Sequence, residues 1–262
     1  MSKTAVVTGG SSGIGRATAK LLAQKGYTVY EFSRSGKAEG EIRHLTVDVT
    51  DEAQVRAAFR QVSADTGRLD LLVNNAGMGI SGAIEFTELS EARRIFDVNF
   101  FGVFICIKEA LPYLRKTKDS QIINVSSAAA EFAIPYQAFY SATKSAQNSL
   151  TLALSSELRP FQIRVNAVMP GDVSTGFTAA RAKSEAGENF YGNAIHSAVA
   201  VMEKDELGGM QPEKIAEAIY KISEKQCTGK LFTVGGKYKA FVFLSRFLPV
   251  SLVTKLVSSM YH

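Results

Sequence analysis

The sequence holds only two cysteines, Cys106 and Cys227, far apart and in no C-x-x-C or other metal-ligand spacing. Two free core thiols in a reducing cytosol are the expectation, which places the chain in the cytoplasm. Histidine is equally scarce: His44, His196 and His262 share no ligand spacing, read as ordinary surface or loop residues, and leave no metal expected. No uncharged stretch reaches transmembrane length. The start of the chain lacks a charged segment followed by a long apolar one, so no secretory signal is expected. The 30 Lys and Arg against 25 Asp and Glu give a formal charge of +5, spread along the chain without a basic block. With no basic or aromatic-rich face, a nucleic-acid role is not expected. Internal repeats and low-complexity linkers are absent as well.

What is present is a steady alternation. Short β-branched runs at 4–8, 28–33, 42–47, 69–74, 121–126, 163–168 and 230–234 alternate with helical patterns at 13–25, 52–66, 90–114, 138–158 and 212–224. This rhythm predicts βαβ units, and the near-continuous apolar character of the strands predicts helices on both faces. With 262 residues, 46 % of them apolar, a large core can be buried. The expected fold is α/β: one Rossmann-type, doubly wound parallel sheet of about seven strands over residues 1–262, with a C-terminal helical extension. About forty residues, 170–212, interrupt the rhythm. Ordinary connections run to roughly 4–6 residues, so this stretch is expected to be a functional lid. Its Phe177, Phe190 and Tyr191 argue against disorder.

Directly after the first strand comes Thr8-Gly9-Gly10-Ser11-Ser12-Gly13-Ile14-Gly15, followed by a helical pattern. Glycines there let the backbone approach a pyrophosphate, which free N–H groups and the helix dipole stabilise. The second strand ends in Phe32-Ser33-Arg34-Ser35, with Glu31 two residues short of the tip. An acidic residue at that tip would accept from a ribose 2′-hydroxyl, whereas Arg accommodates a 2′-phosphate. Ser33 and Arg34 therefore predict NADP(H) over NAD(H).

Tyr140 and Lys144 lie four residues apart, on one helix face. A free phenol titrates near pH 10 and exchanges protons poorly at neutral pH; a neighbouring cation is expected to lower it. Thirteen residues upstream of Tyr140, Ser127 follows a strand end, where its hydroxyl can hold a substrate oxygen. Asn74-Asn75-Ala76-Gly77 closes another strand at the same crevice, and Asn99 lies inside a helical pattern, where Asn is mildly unfavoured.

Order and spacing together resemble the short-chain dehydrogenase/reductase family. The matches are T-G-x-x-x-G-I-G at Thr8 to Gly15, N-N-A-G at Asn74 to Gly77, Asn99, Ser127, the Y-x-x-x-K pair and Asn166-Ala167-Val168-Met169-Pro170-Gly171. The resemblance implies that Tyr140 is the general acid in ketone reduction and the general base in alcohol oxidation. It implies that Lys144 holds the nicotinamide ribose and depresses the tyrosine pKa, that Ser127 orients the substrate oxygen, and that Asn99 supports a water extending the relay through Lys144. Gly9, Ser11, Ser12, Gly13, Ile14 and Gly15 would form the phosphate loop. Asp48, with Val49 beside it, would fix the adenine, and Asn75, Ala76 and Gly77 would line the cofactor. Pro170, Gly171, Val173 and Thr175 would grip the carboxamide. Read without the resemblance, Asp48 is a candidate N-cap for the following helix and Thr175 a plain helix cap. Family habit implies a homodimer or homotetramer.

The tail 237–262 has three open readings. Val253, Leu256, Val257 and Met260 recur at helical spacing and can pack on the domain or a sister subunit, cover the cleft, or touch a membrane surface. Tail and lid together resemble the branch acting on hydrophobic alcohols and ketones such as steroids and retinoids, with Phe132, Pro135, Phe139, Phe177 and Tyr191 as pocket candidates and Glu131 as a discordant charge. The alternatives are a 3-oxoacyl-thioester reductase and a catalytically silent NADP-binding sensor or scaffold.

Overall fold

In a computed structural model, which describes residues 2–184 and 186–261, the elements follow the expected alternation. In chain order they are β1 (Thr4–Thr8), α1 (Gly13–Gln24), β2 (Thr28–Ser33), β3 (Ile42–Thr46), α2 (Glu52–Thr66), β4 (Leu71–Asn74) and β5 (Ile80–Ser81). Next come α3 (Leu89–Phe96), α4 (Gly102–Leu114), β6 (Gln121–Val125), α5 (Ala138–Glu157), β7 (Arg164–Pro170) and α6 (Phe177–Ala180). The chain ends with β8 (Ala182–Lys183), α7 (Glu188–Tyr191), α8 (Ala194–Leu207), α9 (Pro212–Ser223), β9 (Leu231–Val234), α10 (Gly236–Ser245) and α11 (Val250–Met260).

Seven strands form one parallel sheet in the order β3-β2-β1-β4-β6-β7-β9, and β5 pairs with β8 in a separate two-stranded sheet. The central strands of the large sheet are covered on both faces, while the edge strands β3 and β9 are only partly covered. Val55 and Phe59 of α2 and Val103 and Leu114 of α4 pack on one side; Leu22 of α1 and Ile215 and Ile219 of α9 pack on the other. Strand order reverses between β1 and β4. A crevice opens outside the carboxyl ends of the strands at such a switch point, and there an α/β sheet binds ligands.

The expected helix over 90–114 is two helices joined by a π-helical turn, Asp97–Phe101, centred on the fully buried Asn99. Such turns occur mostly as single bulges at functional sites. The cap of α2 is Asp51, whose carboxylate accepts from the N–H groups of Ala53 and Gln54; Asp48 instead closes a turn on Thr50. Asp51 sits directly before the first helical residue, where its carboxylate reaches those N–H groups. Cys106 is a core thiol, which burial pushes up to about 12, whereas Cys227 is half-buried in the loop before β9. His196 is exposed on α8, and His262 lies outside the described residues. His44 is the exception to the surface reading: it sits on β3, beside Glu31 in the β2–β3 register, and bonds the Glu31 carboxylate through Nδ1.

Candidate active site

One cavity of about 590 Å³ runs along the switch point. Of the candidate residues, all but two line it: Gly9, Ser11 and Ser12 from the loop before α1 and Gly13 and Ile14 from its first turn; Ser33 and Arg34 at the tip of β2; Asp48 and Val49; Asn75, Ala76 and Gly77; Ser127, Tyr140 and Lys144; and Pro170, Gly171, Val173 and Thr175. Gly15 and Asn99 lie behind this wall.

Asn99 braces the wall. Its amide nitrogen donates to the Met78 carbonyl at 2.9 Å and the Thr143 hydroxyl at 3.2 Å, while its Oδ1 accepts from the Met78 N–H at 2.8 Å. The turn after β4 is thereby tied to α5 one residue before Lys144. With both amide hydrogens engaged, a donated bond to a relay water has to come from elsewhere. Asn75 locks the glycine loop in the same manner, donating from Nδ2 to the carbonyls of Thr8 (3.0 Å) and Gly9 (3.2 Å).

The loop itself suits an anionic ligand. Ser12, at the N-cap of α1, makes no side-chain cap bond, and the first turn carries no acidic residue. The helix therefore presents N–H groups and its positive dipole end uncompensated. Gly13 has φ +50°, and a Cβ there would come within 3.2 Å of Thr175 across the cleft. These features fit the diphosphate of a dinucleotide cofactor. At the β2 tip, Glu31 is buried below the surface, accepting from the Ser33 hydroxyl at 3.2 Å and bonded to His44. Arg34 is exposed and pairs with no acid among the described residues.

Tyr140 and Lys144 follow the expected helical spacing, but their electrostatics differ from the expectation. Burial pushes the phenol up to about 12, partly opposed by the neighbouring Ser127 hydroxyl. The ammonium does not reverse this. It lies 5.8 Å from the ring centre, donates to the Val125 carbonyl at 2.9 Å and to Gln147 Oε1 at 3.4 Å, and is itself lowered by burial to about 8. Both charged forms are costly because the surrounding protein solvates them less well than bulk water does.

A consequence follows for stability. Between about pH 8 and 10.5 the unfolded chain binds more protons at Lys144 than the folded one, so the folded protein gains stability as pH rises through that window. Lys144→Met, which removes the buried ammonium, is expected to raise the Tm of the cofactor-free protein at pH 7. The gap to the parent narrows above pH 8; thermal melts across pH check both signs. A Tm difference that stays constant from pH 7 to 10 contradicts the burial argument.

Beyond the cofactor-like end, the cavity is walled by Phe132, Ile134, Phe177, Phe241 and Val257. Of the aromatic pocket candidates, Phe132 and Phe177 are here. Pro135 is not among the lining residues, Phe139 lines a separate small pocket, and the Tyr191 hydroxyl binds Glu85. The tail supplies the missing wall: Tyr238, Phe241, Val257, Met260 and Tyr261 all line the cavity. The Tyr238 ring lies against Gly171 and its hydroxyl donates to the Asp172 carboxylate, while the Phe241 and Phe132 rings stand 4.5 Å apart. Tyr238 and Phe241 share one face of α10 by their i, i+3 spacing, though no local pattern points that face at the cavity. Polar groups also approach the reacting end: Glu206 lines the cavity, held by Arg181 and by Thr178 at 2.6 Å. Glu131 faces solvent.

The family model for the short chain dehydrogenase matches residues 3–186. The chain belongs to the short-chain dehydrogenase family. Within it, the chain is similar to a 3-ketodihydrosphingosine reductase from Bacteroides thetaiotaomicron, 44 % identical over 220 residues that cover 83 % of this chain and 82 % of the relative. Among solved structures, a short-chain dehydrogenase from Streptomyces avermitilis matches with TM-score 0.85 and 28 % identity, covering 98 % of this chain and 95 % of its own. A 3-ketoacyl-(acyl-carrier-protein) reductase from Brucella melitensis complexed with NADH matches with TM-score 0.75 and 29 % identity, covering 88 % and 96 %. The chain is accordingly an oxidoreductase of this family, on a nucleotide-binding Rossmann-type fold.

Proposed function

We propose that this oxidoreductase moves a hydride between NADP(H) and a hydrophobic ketone or secondary alcohol. The observation that carries this reading is the convergence of Ser127, Tyr140 and Lys144 on a single cavity. One end of that cavity is the glycine loop and the other an apolar wall. When bound, the nicotinamide supplies or accepts the hydride. Tyr140 supplies the proton at its Oη; a phenol that titrates near 12 is fully protonated at neutral pH and suits the acid role in ketone reduction. Ser127 holds the substrate oxygen by its hydroxyl, and Lys144 binds the nicotinamide ribose. Pro170, Gly171, Val173 and Thr175 hold the carboxamide side, while Asp48 and Val49 sit at the adenine. Residues 170–212, folded as α6, β8, α7 and α8, act as the substrate lid.

The apolar wall favours a hydrophobic ketone, and the relative named for 3-ketodihydrosphingosine supports a long-chain one. The resemblance to a 3-ketoacyl-(acyl-carrier-protein) reductase keeps a 3-oxoacyl thioester as the second substrate class. The protein is proposed to act in the cytoplasm as a homodimer or homotetramer. Phe104 on α4 and Leu152 on α5, exposed apolar side chains outside the cavity, support self-association there.

NADP preference rests on the inward turn of Glu31 and the free guanidinium of Arg34. Arg34→Ala is expected to raise the Kd of NADPH about tenfold or more, the loss of a charge-assisted bond, while NADH changes little. Fluorescence titration of both reduced cofactors measures it; equal weakening of the two removes the assignment.

A further inference from the structure

Between Gln226 and His262 the sequence has five basic residues (Lys230, Lys237, Lys239, Arg246 and Lys255) and no Asp or Glu. One side of α10 and α11 is seated on the domain, with Val242 and Val257 buried. The other side is bare. Phe243 is 60 % exposed, Phe247 73 % and Val250 82 %, and the Phe243 and Phe247 rings meet edge to face at 5.3 Å. Single exposed apolar residues are ordinary, but a cluster at one turn between two helices, rimmed by cations, marks an interaction surface. Met260, at the far end of α11, is 53 % exposed and also lines the cavity.

The charge pattern selects the occupant. A second copy in a two-fold pairing would set the same cations opposite one another without an acid on either tail. An anionic bilayer complements both features, taking aromatic and aliphatic side chains into the headgroup boundary and lysines and arginines against its phosphates. No helix among the described residues is long and apolar enough to cross a membrane, so the tail would lie on the surface.

We propose that the α10–α11 turn docks on an anionic lipid bilayer through Phe243, Phe247 and Val250, held by Lys239, Arg246 and Lys255. The docking stands apart from the substrate reading. Delivery of a lipid-soluble ketone to the cavity lined by Met260 rests on that reading as well.

Co-sedimentation of the full chain with phosphatidylcholine vesicles, with and without phosphatidylglycerol, tests the docking without any turnover assay. The chain is expected to sediment with the phosphatidylglycerol vesicles and to be released by salt. Each neutralised cation lowers binding roughly fivefold, so Lys239→Gln, Arg246→Gln and Lys255→Gln combined lower it about a hundredfold. Phe247→Ser with Val250→Ser is expected to lower it at least tenfold, with NADPH binding kept as the sign of an intact fold. A chain that stays in the supernatant at every lipid concentration overturns the proposal. So does equal binding to neutral vesicles with no loss in the triple variant. An elution volume that shifts from dimer to monomer in the Phe247 and Val250 variant, without vesicle binding, assigns the face to a second copy instead.

Discussion

Tyr140→Phe is expected to lower turnover by roughly 10²-fold or more, the scale of acid–base catalysis, with NADPH affinity nearly unchanged. The substitution removes one oxygen and leaves the ring, which packs against Phe177 with centroids 5.7 Å apart. Burial already holds the phenol at about 12, so the loss is of a proton donor and not of a charge. Stability should stay nearly level, because a hydroxyl at the cavity wall is replaced by an apolar edge. Steady-state kinetics with a fixed ketone, beside a cofactor titration and a thermal melt, separates the effects. Near-normal turnover would remove Tyr140 from the chemistry. A parallel loss of NADPH affinity would mean that the hydroxyl also serves cofactor binding and not proton transfer alone.

Gly15→Ala is expected to weaken NADPH binding by roughly tenfold to a hundredfold, the cost of overpacking converted to an affinity. A Cβ on Gly15 would fall 2.2 Å from the Gly9 carbonyl oxygen and 2.4 Å from Asn75 Nδ2. The first is backbone, and the second is held by two hydrogen bonds, so neither neighbour can give way without moving the loop that meets the cofactor. Gly208→Ala, where the nearest atom to a Cβ is the Lys204 carbonyl oxygen at 3.4 Å, serves as the control and should bind as the parent does. An unchanged Kd in Gly15→Ala would show that the loop tolerates displacement and that the close packing of α1 on β1 is not what shapes the cradle.

The elements fixed by local pattern were legible in the amino-acid sequence. The strands β1 and β2 and the helix α2 occupy the expected residues, because apolar runs bounded by Gly, Ser and Asp leave little room for another boundary. The Tyr140, Lys144 and Ser127 constellation was legible too, since helical spacing and strand ends fix where side chains point. Features set by contact across long sequence separations were not. Nothing near Tyr238 announces that its ring will rest on Gly171, yet that contact turns the tail into a cavity wall. The partnership of Glu31 with His44 depends on the parallel register of β2 and β3, which no local pattern encodes. The π-helical turn at Asp97–Phe101 reads as plain helix by its apolar periodicity, and the bonds of its buried Asn99 to Met78 lie across a long sequence separation that periodicity does not report. The phenol pKa failed as an expectation for a related reason: spacing reports which groups are neighbours, whereas burial depends on the whole surrounding fold.

The most direct test of NADPH-dependent carbonyl reduction by this protein is the oxidation of NADPH and of NADH over a panel of ketones, from small diketones through acyl thioesters to long-chain and steroid ketones. Turnover with NADPH and a hydrophobic ketone is expected, and is lost in Tyr140→Phe. Tight NADPH binding without turnover on any member of the panel would contradict that expectation and leave a dinucleotide-binding protein that performs no carbonyl chemistry.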